Sequence, residues 1–428
     1  MTANSKPATL VAGISPSPVG TDVGLVPIDD VYSVLNTLIE PAMETGEVSL
    51  SRAVGRISAL DVTTAVPLPR FDHSAVDGVG VGGDALGRAE PLILTVVGDV
   101  AAGQLEYEEI GGREAVRLFT GARIPRGVRA VVMDEKVRCD GNRVVLPPHV
   151  RDGDNIRRAG EDIAIGGTIV PSGRVLDSRH IAILAAAGHS VVRVMRKIRV
   201  AIVSTGDELV PAGMPLHDAQ IHDVNGPMLS ALAMRPWTDL TETIHVVDDG
   251  AELASQLRRL SGLSDVIISS GGAAGSQTDH TAAAILSAGG SANPLKLALK
   301  PGKPIVLGKI GRCLVLGFPG NPVASLVNFL LFGRPAMLAL AGVNMERPKG
   351  IPVLLDADAA RSTDRTEFAP GRIVRYSADG RPVAERLGKA GSGRLMPLVG
   401  AEGLVEIPSR SAFHRVPVFH PFDSSISV

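Results

Sequence analysis

Cysteine is nearly missing from this 428-residue chain. Only Cys139 and Cys313 occur, far apart and without the paired spacing of a zinc site or a disulfide framework. A reducing cytoplasm is the expected compartment. Dense Lys/Arg runs are also missing, and 43 basic residues against 45 acidic ones leave a net charge of −2. Nucleic acid is therefore not an expected partner. No apolar run approaches the roughly 20 residues of a membrane span, and the opening MTANSKPATLVAGISPSPVG lacks the basic start and apolar stretch of a signal peptide. No membrane partner is expected. The chain has neither a Walker A motif nor G-x-S-x-G, which leaves P-loop hydrolysis and serine-esterase chemistry without support. Gly78, Gly80 and Gly83 do spell G-x-G-x-x-G, but no strand of useful length leads in and no helix follows, so the dinucleotide reading fails.

What is present divides the chain into modules, as its length requires. Residues 1–27, rich in Ser, Pro, Gly and Thr, read as a disordered tail. An amphipathic helix follows over Ile28 to Ile39, then a strand, a turn and a second short helix. Short apolar runs broken by Gly, Pro and Asp (LILTVVGDV, AVRLFTG, RAVVMDEKV, NRVVLPP) make residues 67–148 a small β domain. A further helix starts at Asp177 and stops at Gly188. The β domain is thus inserted into a helical one formed by 28–66 and 149–197. From 198 to 342 strands alternate with helices, the signature of a doubly wound parallel sheet. Residues 347–428 return to short β runs and form a C-terminal β domain.

The functional signal lies at the ends of the α/β strands, where open sheets of this kind bind ligands. RVAIVSTGDEL ends in Thr205, Gly206, Asp207 and Glu208; DVIISSGG ends in Ser270, Gly271 and Gly272, with Asp279 soon after; TIHVV ends in Asp248 and Asp249. Glycines there let the backbone approach a phosphate or a pterin closely. Acidic strand ends at one crevice suit Mg²⁺, which takes one or two carboxylates and keeps water and substrate phosphate as its other ligands. Taken singly, Asp207 and Glu208 also fit a solvated turn, and Asp279 also fits a cap on the helix TAAAILSA.

Two turns complete the crevice. Lys300-Pro301-Gly302-Lys303 has the proline and glycine of a type II turn, which brings its first and fourth residues together, so two ammonium groups converge on one oxyanion. An exposed basic hairpin tip is the alternative. Pro319-Gly320-Asn321-Pro322 runs into the apolar helix VASLVNFLLF, with Asn321 suited to the N-cap and Pro322 to the first helical position. That helix end either binds an anion or is simply capped. His217 and His222 lie in a polar loop and read as surface.

The motifs PLPRFDHSAVDG, LFTGARIPRGVRAVVMDE, NIRRAGEDI, KIRVAIVSTGDEL, DVIISSGGAAGSQTD, LKLALKPGKP, GFPGNPVAS and RTEF occur in order. Through them the chain resembles the molybdopterin molybdenumtransferases, the MoeA and gephyrin E-domain family, from about Ile28 to the C-terminus. The resemblance implies a multidomain α/β plus β fold: an elongated helical domain with an inserted small β domain, a MogA-like molybdopterin-binding domain and a small C-terminal β-barrel. It implies an L-shaped, dimeric subunit and a molybdenum insertase. Molybdate and adenylylated molybdopterin bind with Mg²⁺, and the molybdenum-loaded pterin and AMP leave. It also implies transient contact with the adenylyltransferase that makes the pterin substrate and with molybdoenzymes or their chaperones. A molybdopterin adenylyltransferase or a non-catalytic pterin-binding scaffold are the alternatives.

By this resemblance Glu208, Asp248 and Asp279 form the cation and pyrophosphate group, and Asp77, Thr120 and Asp162 line the cleft from the inserted domain or its flank. Lys300 and Lys303 hold molybdate or phosphate. Lys296, Pro319 and Pro322 shape the pocket, while Arg365 and Ser392 close it from the C-terminal domain. The chain departs from the family pattern at His73, at Val79 and in the loop Gly272-Ala273-Ala274-Gly275-Ser276, where Ala274 removes a hydroxyl.

Overall fold

The computed structural model describes residues 24–104, 107–271, 277–356, 365–388, 394–409, 412 and 415–422, with residues 277–279 in backbone only. Most of the expected tail, together with Gly272 to Ser276 and Ser392, lies outside the described residues. The chain forms two compact units, one of residues 1–60, 172–177 and 193–428 and one of residues 61–171 and 178–192.

The smaller unit is built on a six-stranded sheet in the order Ala130–Met133, Gly78–Val81, Glu114–Leu118, Leu92–Val100, Arg143–Leu146, Arg138–Asp140. Its strands coincide with the apolar runs expected to be β. Alternating side chains fill two clusters, one around Val79, Val81, Leu94 and Val144 and the other around Val100, Val116, Leu118 and Val131. Gly78 and Gly80 are strand residues, which disposes of the dinucleotide pattern. A helix over Ser178–Ala186 ends before Gly188, whose φ of +85° is the left-handed stop expected.

In the larger unit the first helix, α1 (Ile28–Leu38), buries Val31, Val34 and Leu35 in the same core as Phe329 and Phe332. Its Tyr32 hydroxyl donates to the Leu331 carbonyl at 2.6 Å. Order begins before Ile28: Val26, assigned to the tail by composition, makes a parallel bridge with Leu297. One paired residue with an apolar side chain anchors a segment whose average composition argues against order.

The α/β elements follow as β1 (Ile198–Thr205), α2 (Asn225–Ala233), β2 (Thr238–Val246), α3 (Gly250–Ser261), β3 (Val266–Gly271) and α4 (Gln277–Ser287). Then come β4 (Ser291–Lys296), β5 (Leu299–Lys300), β6 (Pro304–Ile310), β7 (Cys313–Pro319) and α5 (Pro322–Asn328), which runs through a π-helical turn (Phe329–Gly333) into α6 (Arg334–Leu340). The sheet order is β2-β1-β3-β7-β6-β4. The first four strands are parallel, while β6 and β4 are antiparallel, so the sheet is mixed. No helix intervenes between β6 and β7, only the tight turn at Gly311, and a tight turn reverses the chain. The core strands are buried on both faces, as helices on each side require.

Pro322–Leu340 is a continuous helical stretch of 19 residues, long and apolar enough to span a membrane by composition, which corrects the expectation that no such run exists. Its most apolar part is 83% buried. It is core helix, hydrophobic all round because protein covers it on every side.

The C-terminal sheet contains β8 (Thr366–Tyr376), β9 (Pro382–Arg386), β10 (Gly403–Ile407) and β11 (Val418–Pro421), flanked by two short strands, Ile351–Pro352 and Leu354–Leu355. Those two are its opposite edges, one beside β11 and the other beside β9, yet only Val353 separates them in sequence. The sheet must curl nearly into a barrel for one segment to supply both edges. β5 joins it as a seventh strand, pairing with β8.

Candidate active site

Four parallel strands end in register. Thr205 pairs with Val246 on one side and Gly271 on the other, and Gly271 pairs with Pro319. The line Val246, Thr205, Gly271, Pro319 is the carboxyl edge of the sheet, with Ser270 one residue before it and Gly206, Asp207, Glu208, Asp248 and Asp249 just beyond it. The strands are packed so closely that a Cβ at Gly271 would stand 1.5 Å from Thr205 Oγ1. Only glycine fits there, and its role is strand packing beside the crevice.

Beyond this edge the acids divide by task. Asp207 Oδ1 accepts the Asp248 backbone N–H at 2.9 Å, and His245 Nε2 donates to the Gly206 carbonyl at 2.8 Å. These bonds tie the ends of β1 and β2 together. Asp249 is the N-cap of α3, accepting from the amides of Ala251 and Glu252, which hold its carboxyl below the usual range. Asp248 is exposed, and the Glu208 carboxylate folds against Gly206. Asp279 is the third residue of α4, since that helix starts at Gln277, and so is not the N-cap expected from the TAAAILSA pattern. Its side chain lies outside the described residues. Among the described residues no group of three His, Cys, Asp or Glu converges on a point suited to a metal ion.

Sequence reasoning missed the buried connection between these loops. Asn225, 7% exposed at the start of α2, donates from Nδ2 to the Gly320 carbonyl at 2.6 Å and to Ser270 Oγ at 2.9 Å. Ser270 Oγ in turn donates to the Pro319 carbonyl and lies 2.9 Å from Ser325 Oγ. One amide therefore fixes the end of β3 relative to the turn after β7. No local pattern announced it; at the helix start the Gly226 amide donates to Asp223, not to Asn225.

At the second turn, Asn321 Oδ1 accepts from the amides of Val323 and Ala324 at 3.1 and 3.3 Å. Two of the amides that would have served an anion are thus occupied by the cap, and of the two readings of this helix end capping is the one observed. The lysine turn also departs from expectation. Leu299–Lys300 is drawn out as a ladder strand on β8, the loop closes between Leu297 N and the Lys303 carbonyl at 2.7 Å, and the Lys300–Pro301 peptide is cis. Gly302 does take the expected positive φ, +104°, and a Cβ there would meet Asn328 Nδ2 at 2.5 Å.

Lys300 and Lys303 nevertheless share one cavity of about 470 Å³. Pro319 and Asn321 of the β7 turn line it, as do Arg365, Glu367, Arg386 and Arg394 of the C-terminal module. The described lining carries five cationic side chains and a single carboxylate, a composition that favours a multiply charged anion. Lys296, Gly320 and Pro322 are not among its lining residues. Arg386 escaped the sequence reading because it reaches the cavity through the pairing of β9 with β8, which no local pattern announces, and Arg394 because it lies outside any regular element.

In the smaller unit, the exposed Asp77 Oδ1 accepts from both the amide and the hydroxyl of Thr120, at 2.6 and 2.8 Å, and these bonds lower its pKa. Arg157 holds Asp162 at 2.5 Å and also pairs with Glu161. His217 and His222 are exposed, as expected for a surface loop.

A mixed α/β sheet with acids beyond its parallel edge, joined to a curled β module and bearing a basic cavity, defines a multidomain α/β plus β protein. Comparison with known proteins narrows this. Family models match three successive stretches: the MoeA N-terminal region (domain I and II) over residues 26–188, a probable molybdopterin binding domain over 201–339, and the MoeA C-terminal region (domain IV) over 352–415. A molybdopterin molybdenumtransferase of Haemophilus influenzae is 32% identical over 349 residues, 81% of this chain and 86% of that protein. Molybdopterin molybdenumtransferase 2 of Mycobacterium tuberculosis is 31% identical, over 84% of this chain and 90% of its own length. The crystal structure of the molybdopterin biosynthesis MoeA protein from Pyrococcus horikoshii OT3 superposes with a TM-score of 0.73 at 28% identity, covering 93% of this chain and 98% of that one. The chain belongs to the MoeA family of molybdopterin molybdenumtransferases.

Proposed function

We propose that this chain is a molybdenum insertase that takes molybdate and adenylylated molybdopterin with Mg²⁺ and releases molybdenum-loaded molybdopterin and AMP. Family membership makes it a transferase of molybdenum-cofactor biosynthesis. The observation that carries the finer reading is the cavity lined by Lys300, Lys303 and Arg365 beside the strand-end line. The pterin and its adenylate lie along the glycine-bearing edge of β1 and β3, and the oxyanion enters the cationic cavity. Ser392, outside the described residues, is assigned to closing the site from the C-terminal module, and Lys296 and Pro322 to shaping the pocket.

Glu208, Asp248 and Asp279 are the acids assigned to Mg²⁺. The first two sit on loops of adjacent strands, which suits a cation that needs only one or two carboxylates. When bound, Mg²⁺ offsets charge on the cleaved phosphoanhydride. The residues themselves orient the substrate phosphates and stabilise the charge that develops on the departing AMP, with Lys300 and Lys303 already in place. Asp77, Thr120 and Asp162 of the smaller unit are assigned to substrate binding. We further assign the chain to the cytoplasm as a homodimer that meets the adenylyltransferase and molybdoenzymes or their chaperones transiently.

The test is AMP release from adenylylated molybdopterin with Mg²⁺, with and without molybdate, in the wild type and Asp279→Asn. Molybdate-dependent release that is lost in a folded variant supports the reading. Tight pterin binding without release overturns it in favour of a carrier or scaffold.

A further inference from the structure

The cavity's lone described carboxylate is not a bystander. Glu367 lies on β8, opposite Lys300 of β5 and Ile407 of β10, so its backbone is held by ladders on both sides. Its side chain is 7% exposed, and Oε1 stands 2.8 Å from Arg386 Nη2 and 4.0 Å from Lys300 Nζ. Arg386 is itself 14% exposed, and its Nε is buried with no hydrogen-bond partner among the described residues. Two of the five cations are thus already engaged by a fixed negative charge before any ligand arrives.

We propose that Glu367 is an internal counter-charge that competes with the incoming oxyanion for Lys300 and Arg386, setting both the cavity's affinity and its preference between anions of different charge. This rests on the reading that the cavity receives an oxyanion, and not on the chemistry that follows. A buried, ladder-held carboxylate cannot swing into water, so its repulsion of an anion persists and is weakly screened by salt. The repulsion scales with the ligand's charge. Removing it therefore tightens a monoanion by some factor and a dianion of the same shape by about the square of that factor. A residue that merely shaped the cavity would affect both alike.

Molybdate and perrhenate, tetrahedral oxyanions of charge two and one, are the probes. Their dissociation constants are measured by calorimetry on the full-length protein at low ionic strength, in buffer free of phosphate and sulfate, with thermal melting as the check on folding. Glu367→Gln is expected to tighten perrhenate about threefold and molybdate about tenfold. Unchanged or weaker binding, or equal changes for the two ions, overturns the proposal. Glu367→Gln leaves Arg386 buried without its partner and is at risk of unfolding. The same comparison is therefore made between Arg386→Gln and the double variant Arg386→Gln/Glu367→Gln, where the preference for molybdate is again expected to rise; no rise overturns it. Charge-scaled binding in a protein that releases no AMP would sink the insertase reading and leave this inference standing.

Discussion

Asn225 Nδ2 donates to the Gly320 carbonyl at 2.6 Å, joining residues 95 positions apart. Through Ser270 the same amide also grips the end of β3. Asn225→Ala is expected to leave Ser270 Oγ and the Gly320 carbonyl short of a buried partner and to cost about 2–3 kcal/mol. Asn225→Asp, the same shape without the donor, sets oxygen against oxygen and is expected to cost more. Denaturant titration of the two variants checks the order; equal stability with the wild type would mean the contact is incidental.

Gly271→Ala is expected to destabilise the sheet by about 3 kcal/mol, since the new methyl falls on Thr205 Oγ1 and would also stand 2.8 Å from Thr205 Cβ. Thr205→Ala in the same chain relieves the nearest clash and is expected to restore part of the loss. Thermal midpoints of the single and double variants decide this, and a Gly271→Ala protein as stable as the wild type would contradict the strand spacing.

Asp265, whose side chain is 12% exposed, receives two hydrogen bonds from Arg196 at 2.6 and 2.9 Å and pairs with Arg199 at 2.9 Å. Burial alone would raise its pKa, but the bonds from Arg196, then Arg199 and the Arg199 amide, outweigh it and bring it down to about 2. The folded value lies below the unfolded one, so the stabilisation is complete above about pH 4 and is lost as the pH falls through about 2. Asp265→Asn should lose about 2 kcal/mol at pH 7, and its deficit relative to the wild type should shrink below pH 4. Denaturation curves at pH 7, 4 and 3 test the sign; a deficit that grows on acidification would refute it.

Cys139 is exposed and Cys313 is buried, with burial pushing the Cys313 thiol up to about 12. A thiol reagent at pH 8 should titrate one group in the native protein and two after denaturation. Rapid labelling of both in the native state would show that the β7 strand opens readily.

Much of this was legible in the sequence because local pattern and local structure share a cause. The alternation in LILTVVGDV and the apolar spacing of Ile28 to Leu38 are the faces that these elements bury. The strand-end acids and the lysines were visible for the same reason, since strand length fixes where each loop begins. What was hidden depends on partners remote in sequence. Lys300 looks like a turn corner until Glu367, 67 residues on, is known to pair with it. Asn321 fits the N-cap from sequence but leaves an anion site open, and only the observed bonds to Val323 and Ala324 decide. Asn225 carries no periodic signal at all. The absence of a membrane-length run was misjudged because Gly333, Arg334 and Pro335 interrupt the apolar letters, while the helix passes through them with a π turn.

The pairing of Leu299–Lys300 with β8 also means that the boundary before the C-terminal module is a boundary in sequence only. A chain ending at Arg347 would retain every strand and helix of the α/β layer, yet the segment that presents Lys300 would lose its hydrogen-bonded neighbour and the cavity three of its arginines. What looks like a detachable appendage is half of the wall. Separating the two modules would therefore dismantle the cavity itself.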